Sequence, residues 1–513
     1  MLLIARPLQF EANKPIIVLR KEDADELGVK ALERVEVSFD SKKTDAIVNV
    51  ARKIISKGEA GIYTSLFEQL KLKAGQPVEV APADPPRSID SIKRKMAGKP
   101  LAREEMKAIV EDVVGDRLSD VEIAAFVISL NDHGLSMDEA TTLSMAMTET
   151  GQKLRLGKKD IFDKHSIGGM PGDKTSMLLV PIVAAAGLTI PKTSSRAITA
   201  PAGTADKMEC IAPVEHSIEE IARIVRKTNG CLVWGGAVDM APADDAFIKV
   251  EYPLSIDPLL LPSVMSKKKA AGTKYLAIDI PTGKGTKIKT VGEAQELAKQ
   301  FIELGRNLGI RVSCTSTYGE QPLGYGIGPA LEAREALETL YAHKGSADLV
   351  GKACHLSGVL FGFRGMKDGE AHARRMLASG KALAKMKQII AEQGGDPNIR
   401  PSDIPVGGQH VKVESDASGH IWWINNNAIT QIARAAGCPS NKGAGILLRK
   451  KIGDRVAKGD VLFEIYADKA QKLNRALKIE ENSDVMGVGD IPNMVMLTLP
   501  EEKEHRRHFI LER

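Results

Sequence analysis

The stretch DKHSIGGMPGDKTS, Asp163 to Ser176, constrains the fold of this chain more than any other. Gly168, Gly169 and Gly172 crowd a turn, and the run after it, TSMLLVPIVAAAG, is apolar all the way round. Such a run is a buried helix, closed here by Gly187. A glycine-rich turn leading into a helix N-terminus lets backbone N–H groups approach an anion closely. The turn also carries Lys164, His165, Ser166, Asp173, Lys174, Thr175 and Ser176. A second segment, SSRAITAPAGTADKME from Ser194 to Glu209, together with Thr193 just before it, adds Ser194, Ser195, Arg196, Thr199 and Thr204. Hydroxyls, N–H groups and a few cations converging on a small volume suit a phosphate ion. The nearest P-loop frame, Gly168 to Thr175, places Asp173 where the second glycine belongs. A carboxylate there repels a triphosphate, which counts against an ATPase.

The 513 residues exceed the size at which one core keeps growing, so several domains are expected. A formal charge of +5 with only 4% aromatic residues gives nucleic-acid binding no support, although a basic balance suits an anionic substrate. Cys210, Cys231, Cys314, Cys354 and Cys438 are widely spaced. They argue for a reducing compartment and against a disulfide framework or a zinc site. The opening MLLIARPLQFEANKP reads as neither a signal peptide nor a membrane span, so a cytoplasmic protein without membrane association is expected.

The fold class expected is a multidomain α/β protein. Residues 1–84 show short period-two runs (15–19, 35–39, 46–50 and 77–80) that predict a small β-barrel-like unit. A linker around Ala81–Pro86 leads to a helical unit over 88–155, in which Ser119-x-x-Glu122 and Ser136-x-x-Glu139 are capping boxes. From residue 156, strands and helices alternate as in an α/β domain with a mixed or largely parallel sheet, over 156–240 and 271–404. Ligands of such sheets sit beyond the carboxyl ends of strands, where the glycine-rich turn falls. Residues 405–513 read as a C-terminal α+β unit; within it, 443–468 is similar to the half-barrel of biotinyl and lipoyl carriers, read here as scaffold.

Both loops resemble those of the thymidine and pyrimidine-nucleoside phosphorylase family. The family's KHS-x-GG-x-GD-x-TS motif is matched by Lys164-His165-Ser166, Gly168-Gly169, Gly172-Asp173 and Thr175-Ser176, with Pro171 inserted. Its S-x-R…GT-x-D-x-x-E motif is matched by Ser194, Arg196, Gly203-Thr204, Asp206 and Glu209. The likeness spans roughly 88–500, and the added N-terminal unit makes the chain most similar to the family's archaeal AMP-cleaving branch. That resemblance implies phosphorolysis of AMP, and of other nucleoside 5′-monophosphates, to free base and ribose 1,5-bisphosphate. Thymidine phosphorolysis is the alternative. It further implies that 241–270 crosses back to the helical unit, placing the site in a cleft between domains. The expected partners are small molecules, the nucleotide and phosphate as co-substrate, with no cofactor and no metal. A homodimer through the helical unit, and a larger assembly through 1–84, are also implied.

Carried over on those motifs, Lys164, Ser166, Ser176, Ser194 and Thr204 are the phosphate ligands. Gly169, Ser195, Arg196, Ala197, Ile198, Thr199, Ala200 and Thr204 contact substrate, with Ser263 and Lys267 at the base. The tyrosine and arginine that hold a pyrimidine in thymidine phosphorylases are replaced by Ile248 and Glu251, which favours another base. Asp257 is the candidate general acid, against the plainer reading that it caps the helix beginning near Pro258. His165 is its rival, since an imidazole titrates nearer neutrality. Lys287 is the candidate for the 5′-phosphate, while Lys267-Lys268-Lys269 also reads as a solvated helix face. Asp206 and Glu209 are expected to brace the second loop through its N–H groups.

Overall fold

A computed structural model describes residues 1–10, 12, 14–197 and 200–489. The expected substrate contacts Ile198 and Thr199, and the end of the C-terminal unit, lie outside the described residues.

The chain opens with β1 (Leu2–Leu8), β2 (Ile16–Arg20), α1 (Lys21–Leu27), β3 (Arg34–Phe39), β4 (Lys42–Ala51), β5 (Glu59–Tyr63), α2 (Thr64–Gln69) and β6 (Pro77–Pro82). Its strands close into a barrel in the order β1-β5-β2-β4-β3-β6. The period-two runs locate β2, β3, β4 and β6, but β1 and β5 went unread. They pair parallel with each other over Ile4–Leu8 and Glu59–Tyr63. Without them the sheet could not close. Arg34 anchors the barrel to the helical unit, donating to the Arg117 carbonyl at 2.9 Å and pairing with Glu122.

The helical unit begins with α3 (Ser88–Met96), α4 (Arg103–Val114), α5 (Asp120–His133) and α6 (Met137–Glu149). Ser119 and Ser136 do start α5 and α6, each accepting the backbone N–H of the glutamate three residues on. Gly151 follows α6 because a Cβ there would stand 2.2 Å from the Met240 carbonyl oxygen. His133 is exposed beside the Met96 carbonyl, away from any site.

The α/β unit runs β7 (Phe162–Ser166), α7 (Thr175–Ala185), β8 (Ile190–Ser194), α8 (Thr204–Met208), α9 (Ile218–Thr228) and β9 (Gly230–Trp234). The chain then crosses to the helical unit for α10 (Pro242–Leu254) and α11 (Leu260–Ala270). Phe247 of α10 joins the same core as Phe126 of α5. It returns with β10 (Tyr275–Thr282), α12 (Val291–Leu308), β11 (Arg311–Tyr318) and β12 (Gly326–Ile327), then α13 (Pro329–Ala342), α14 (Ala347–Gly362), α15 (Gly369–Ala378) and α16 (Lys381–Glu392). Strands β7, β10 and β11 pair parallel, as do β8 and β9, with a parallel bridge from Ile161 to Thr189 linking the two groups. Helix α7 is buried along its length and lies at the centre of the largest core, as its apolar circumference requires.

The C-terminal unit contains β13 (Gln409–Glu414), β14 (Gly419–Ile424), α17 (Asn426–Ala436), β15 (Gly445–Leu448), β16 (Arg455–Val456), β17 (Val461–Ala467), α18 (Ala470–Glu481) and β18 (Met486–Gly489). Strand β12 of the preceding segment pairs with β15, so this unit is stitched onto the α/β unit. Lys451 completes the seam, donating to the Gly324 carbonyl and pairing with Asp348, both at 2.9 Å. Among the described residues no helix is long and apolar enough to cross a membrane.

Candidate active site

Ser166 and Ser194 stand at the carboxyl ends of β7 and β8, with the glycine-rich turn and the second loop leaving the sheet directly after them. Side chains alternate along β7, so Lys164 and Ser166 share one face while Asp163 and His165 share the other.

On the first face the Lys164 ammonium is almost wholly buried, 3.6 Å from Asp173 and 3.7 Å from Asp279. Neither contact is within hydrogen-bonding distance, so the cation is balanced electrostatically and keeps protons to donate. Lys352 of α14 supports the arrangement from behind, 2.8 Å from Asp279, and Thr317 donates to the other oxygen of that carboxylate at 2.6 Å. Burial alone would raise the Asp173 carboxyl, but Lys164, Lys352 and Lys207 hold it well below its ordinary range. Ser176 is buried in the first turn of α7, beside Thr175, whose hydroxyl is buried with no hydrogen-bond partner. An orphaned hydroxyl at a helix N-terminus, next to an ammonium with protons to spare, is a place for an oxyanion.

The second loop is fastened to the first. Lys207 of α8 donates to the Asp173 carbonyl at 2.6 Å and pairs with Glu332 at 2.7 Å. Asp206 accepts the N–H groups of Ala197 (2.7 Å) and Gly203 (2.8 Å), the bracing role expected of it. Glu209 behaves otherwise: it takes the Arg196 guanidinium at 2.8 Å through both oxygens and also meets Lys442. Its carboxyl falls to about 2, chiefly through the Arg196 hydrogen bond. Arg196 is engaged further by Glu215 and lies over the Trp234 ring. These contacts tie the Arg196 guanidinium into the second loop. Thr204 heads α8, Ser195 is exposed and Ala200 half-buried.

On the opposite face of β7, Asp163 bonds Lys268 of α11 at 2.6 Å and has Lys192 of β8 at 4.0 Å. Lys268 is thus buried, which corrects the reading of 267–269 as a solvated face; Lys269 alone is exposed. Burial, then the neighbouring Lys268 ammonium, lowers Lys192 to about 7. The same environment governs His165. Burial first, then Lys268, Lys192 and Lys164, push its imidazole well below the ordinary value. The imidazole is thereby kept in its neutral form.

The helical unit approaches the glycine-rich turn through the residues between α10 and α11. Asp257 does not cap α11, whose N-cap is Leu259 without a side-chain bond. Its carboxylate instead meets Lys287 at 2.5 Å. Lys287 belongs to the loop after β10, and that loop packs on the glycine-rich turn: a Cβ on Gly169, at φ +91°, would stand 2.9 Å from the Lys287 backbone nitrogen. Asp257, Lys287 and Gly169, read separately in the sequence, therefore form one chain of contacts between the helical unit and the glycine-rich turn. Ser263 and Lys267 share a face of α11, and Lys267 pairs with the fully buried Asp244 of α10. Glu251 is also buried there.

Asp279 and Lys352 were missed. Their signal was a lone charge in an apolar run, YLAIDI for the first and LVGKAC for the second. A solitary charge in such a setting needs a buried partner.

Residues 89–151 match the helical bundle domain of the glycosyl transferase family, residues 158–383 its a/b domain, and residues 421–484 the pyrimidine nucleoside phosphorylase C-terminal domain. The chain is 44% identical to the AMP phosphorylase of Thermofilum pendens over 513 residues, all of both chains. It is 49% identical to that of Thermococcus sibiricus, covering 92% of this chain and 95% of the relative, and 48% identical to that of Thermococcus kodakarensis, covering 93% and 96%. The chain belongs to the AMP phosphorylase family. With that family it is a pentosyltransferase by descent, the two glycosyl transferase domains included. Among solved structures, anthranilate phosphoribosyltransferase of Thermus thermophilus shares the fold, with a TM-score of 0.51 at 20% identity over 59% of this chain and 99% of that one.

Proposed function

We propose that the cleft performs phosphorolysis of AMP, with adenine and ribose 1,5-bisphosphate as products. The observation that carries this reading is the contact of Asp257 with Lys287 beside Gly169, because it joins a proton donor, a cation and the phosphate loop across one cleft. Inorganic phosphate sits against Lys164, the hydroxyls of Ser166, Ser176 and Ser194, and Thr204. One of its oxygens attacks C1′ of the ribose while the bond from C1′ to N9 breaks. The electron pair of that bond leaves with adenine, which takes a proton from the Asp257 carboxyl. Holding nucleophile and sugar in one frame supplies much of the acceleration.

Lys287 takes the 5′-phosphate. Without substrate its ammonium is occupied by Asp257, so binding of the nucleotide phosphate draws the cation away and leaves a carboxyl better able to carry a proton. Ser263 and Lys267, the latter held by Asp244, lie at the base. The same reading carries a cytoplasmic homodimer that also accepts other nucleoside monophosphates. Chromatography of base released from AMP, CMP, UMP and thymidine, with and without phosphate, tests it. Phosphate-dependent adenine release, lost in Asp257→Asn, is expected; thymine release from thymidine with AMP untouched overturns the substrate.

A further inference from the structure

Helix α10 presents two buried carboxyls on one face, Asp244 and Glu251, seven residues and thus two turns apart. Asp244 secures Lys267. Glu251 has a different object. Its backbone carbonyl accepts the N–H of Ile256 at 3.2 Å and caps Ser255, which adopts a left-handed conformation at φ 54°. Its carboxyl then reaches over the turn and accepts the Leu259 N–H at 3.2 Å. Both ends of the Ser255–Leu259 turn therefore hang from one residue, and Asp257 sits at the middle of that turn.

We propose that Glu251 is the positioning residue of the general acid: it clamps the turn so that Asp257 meets the leaving base, and its charge governs when Asp257 carries a proton. The proposal rests on the reading of Asp257 as the proton donor. A side chain that served only to tie the turn could do so with an amide. Glu251 is instead a carboxyl only 6% exposed, with a second carboxyl as neighbour. The groups that face it are Asp257 on the turn, Asp244 on its own helix, Lys287 on the loop after β10 and Lys267 on α11. Burial, then Asp257, lifts the Glu251 carboxyl to about 7, against the pull of the Leu259 N–H and Lys287. Two carboxyls in such proximity titrate as a pair, each ionisation opposing the other. Asp257 lifts Glu251 because its own carboxyl is already charged beside Lys287, so up to about pH 7 the pair keeps one proton, on Glu251. Once the nucleotide phosphate draws Lys287 away, that proton passes to Asp257 and the charge left on Glu251 helps to hold it there. The acid then works at a higher pH than it would alone.

The test is the pH dependence of kcat for AMP phosphorolysis in the wild type, Glu251→Gln, Glu251→Ala and Asp257→Asn, with circular dichroism to confirm folding. Glu251→Gln keeps an acceptor for Leu259 and removes the charge, so the alkaline limb should move down by about 0.5–1 pH unit with kcat at low pH little changed. Glu251→Ala also releases the turn and should lower kcat by about ten- to a hundredfold, with phosphate KM unmoved. Superimposable profiles for the wild type and Glu251→Gln, with Asp257→Asn inactive, would overturn the proposal and leave the acid assignment standing. A fully active Asp257→Asn would remove the acid assignment and the proposal together.

Discussion

Replacing Lys164 by methionine tests the phosphate end of the cleft. The ammonium stands 3.6 Å from Asp173 and 3.7 Å from Asp279, where at an effective dielectric constant of about 20 each attraction is about 4–5 kcal/mol before desolvation is counted. Its loss leaves Asp279 with Lys352 at 2.8 Å, and Asp173 with the Thr175 N–H at 3.1 Å. Because partners remain, the destabilisation should sit near the lower end of the roughly 3–5 kcal/mol for breaking a buried pair. Phosphate separately loses a charge-assisted hydrogen bond of about 1.5–3 kcal/mol, which raises its KM about ten- to a hundredfold. Phosphate saturation of adenine release measures the second effect, and thermal melting the first. Adding Asp279→Asn separates them. With both changes, Lys352 and Asp173 are left as one cation and one anion, so melting should recover while phosphate KM stays high. A phosphate KM restored along with stability in the double variant, or unchanged in the single one, would show that Lys164 only balances charge.

Lys192→Met tests the opposite face of β7. The Lys192 pKa is lowered on folding to about 7, so between pH 7 and its ordinary range the unfolded chain holds a proton that the folded one has shed. Stability contributed there rises with pH, by at most about 1.4 kcal/mol per unit; melts of both proteins from pH 7 to 9 should show a smaller rise in the variant. Asp244→Asn removes the charge that holds Lys267 and should lower kcat/KM for AMP about tenfold, with phosphate KM unchanged in the same saturation assay. Lys95→Met leaves Glu139 buried without its 2.8 Å partner. It should cost roughly 3–5 kcal/mol in the helical unit by denaturant titration, while the folded fraction keeps its kcat.

Local features of the chain were legible because they act over one or two turns. The capping boxes at Ser119 and Ser136, the buried helix Thr175–Ala185 and the alternation of strands and helices after residue 160 all follow from short-range sterics and periodicity. The glycine-rich turn was legible for the same reason, as Gly169 tolerates a φ and a close approach that other residues do not. Strands β1 and β5 were not, since each exists only through the pairing that closes the barrel. Charged side chains were the least legible of all. Nothing local says that Lys287 meets Asp257, that Lys268 is buried on Asp163, or that Arg196 is absorbed by Glu209 and Glu215. Their sequence neighbours are compatible with water or with substrate equally well. In a low-dielectric interior the fate of a charge depends on which opposite charge lies within a few ångströms. That distance is set by how remote segments pack, so it was decided when β7, α11 and the loop after β10 came together.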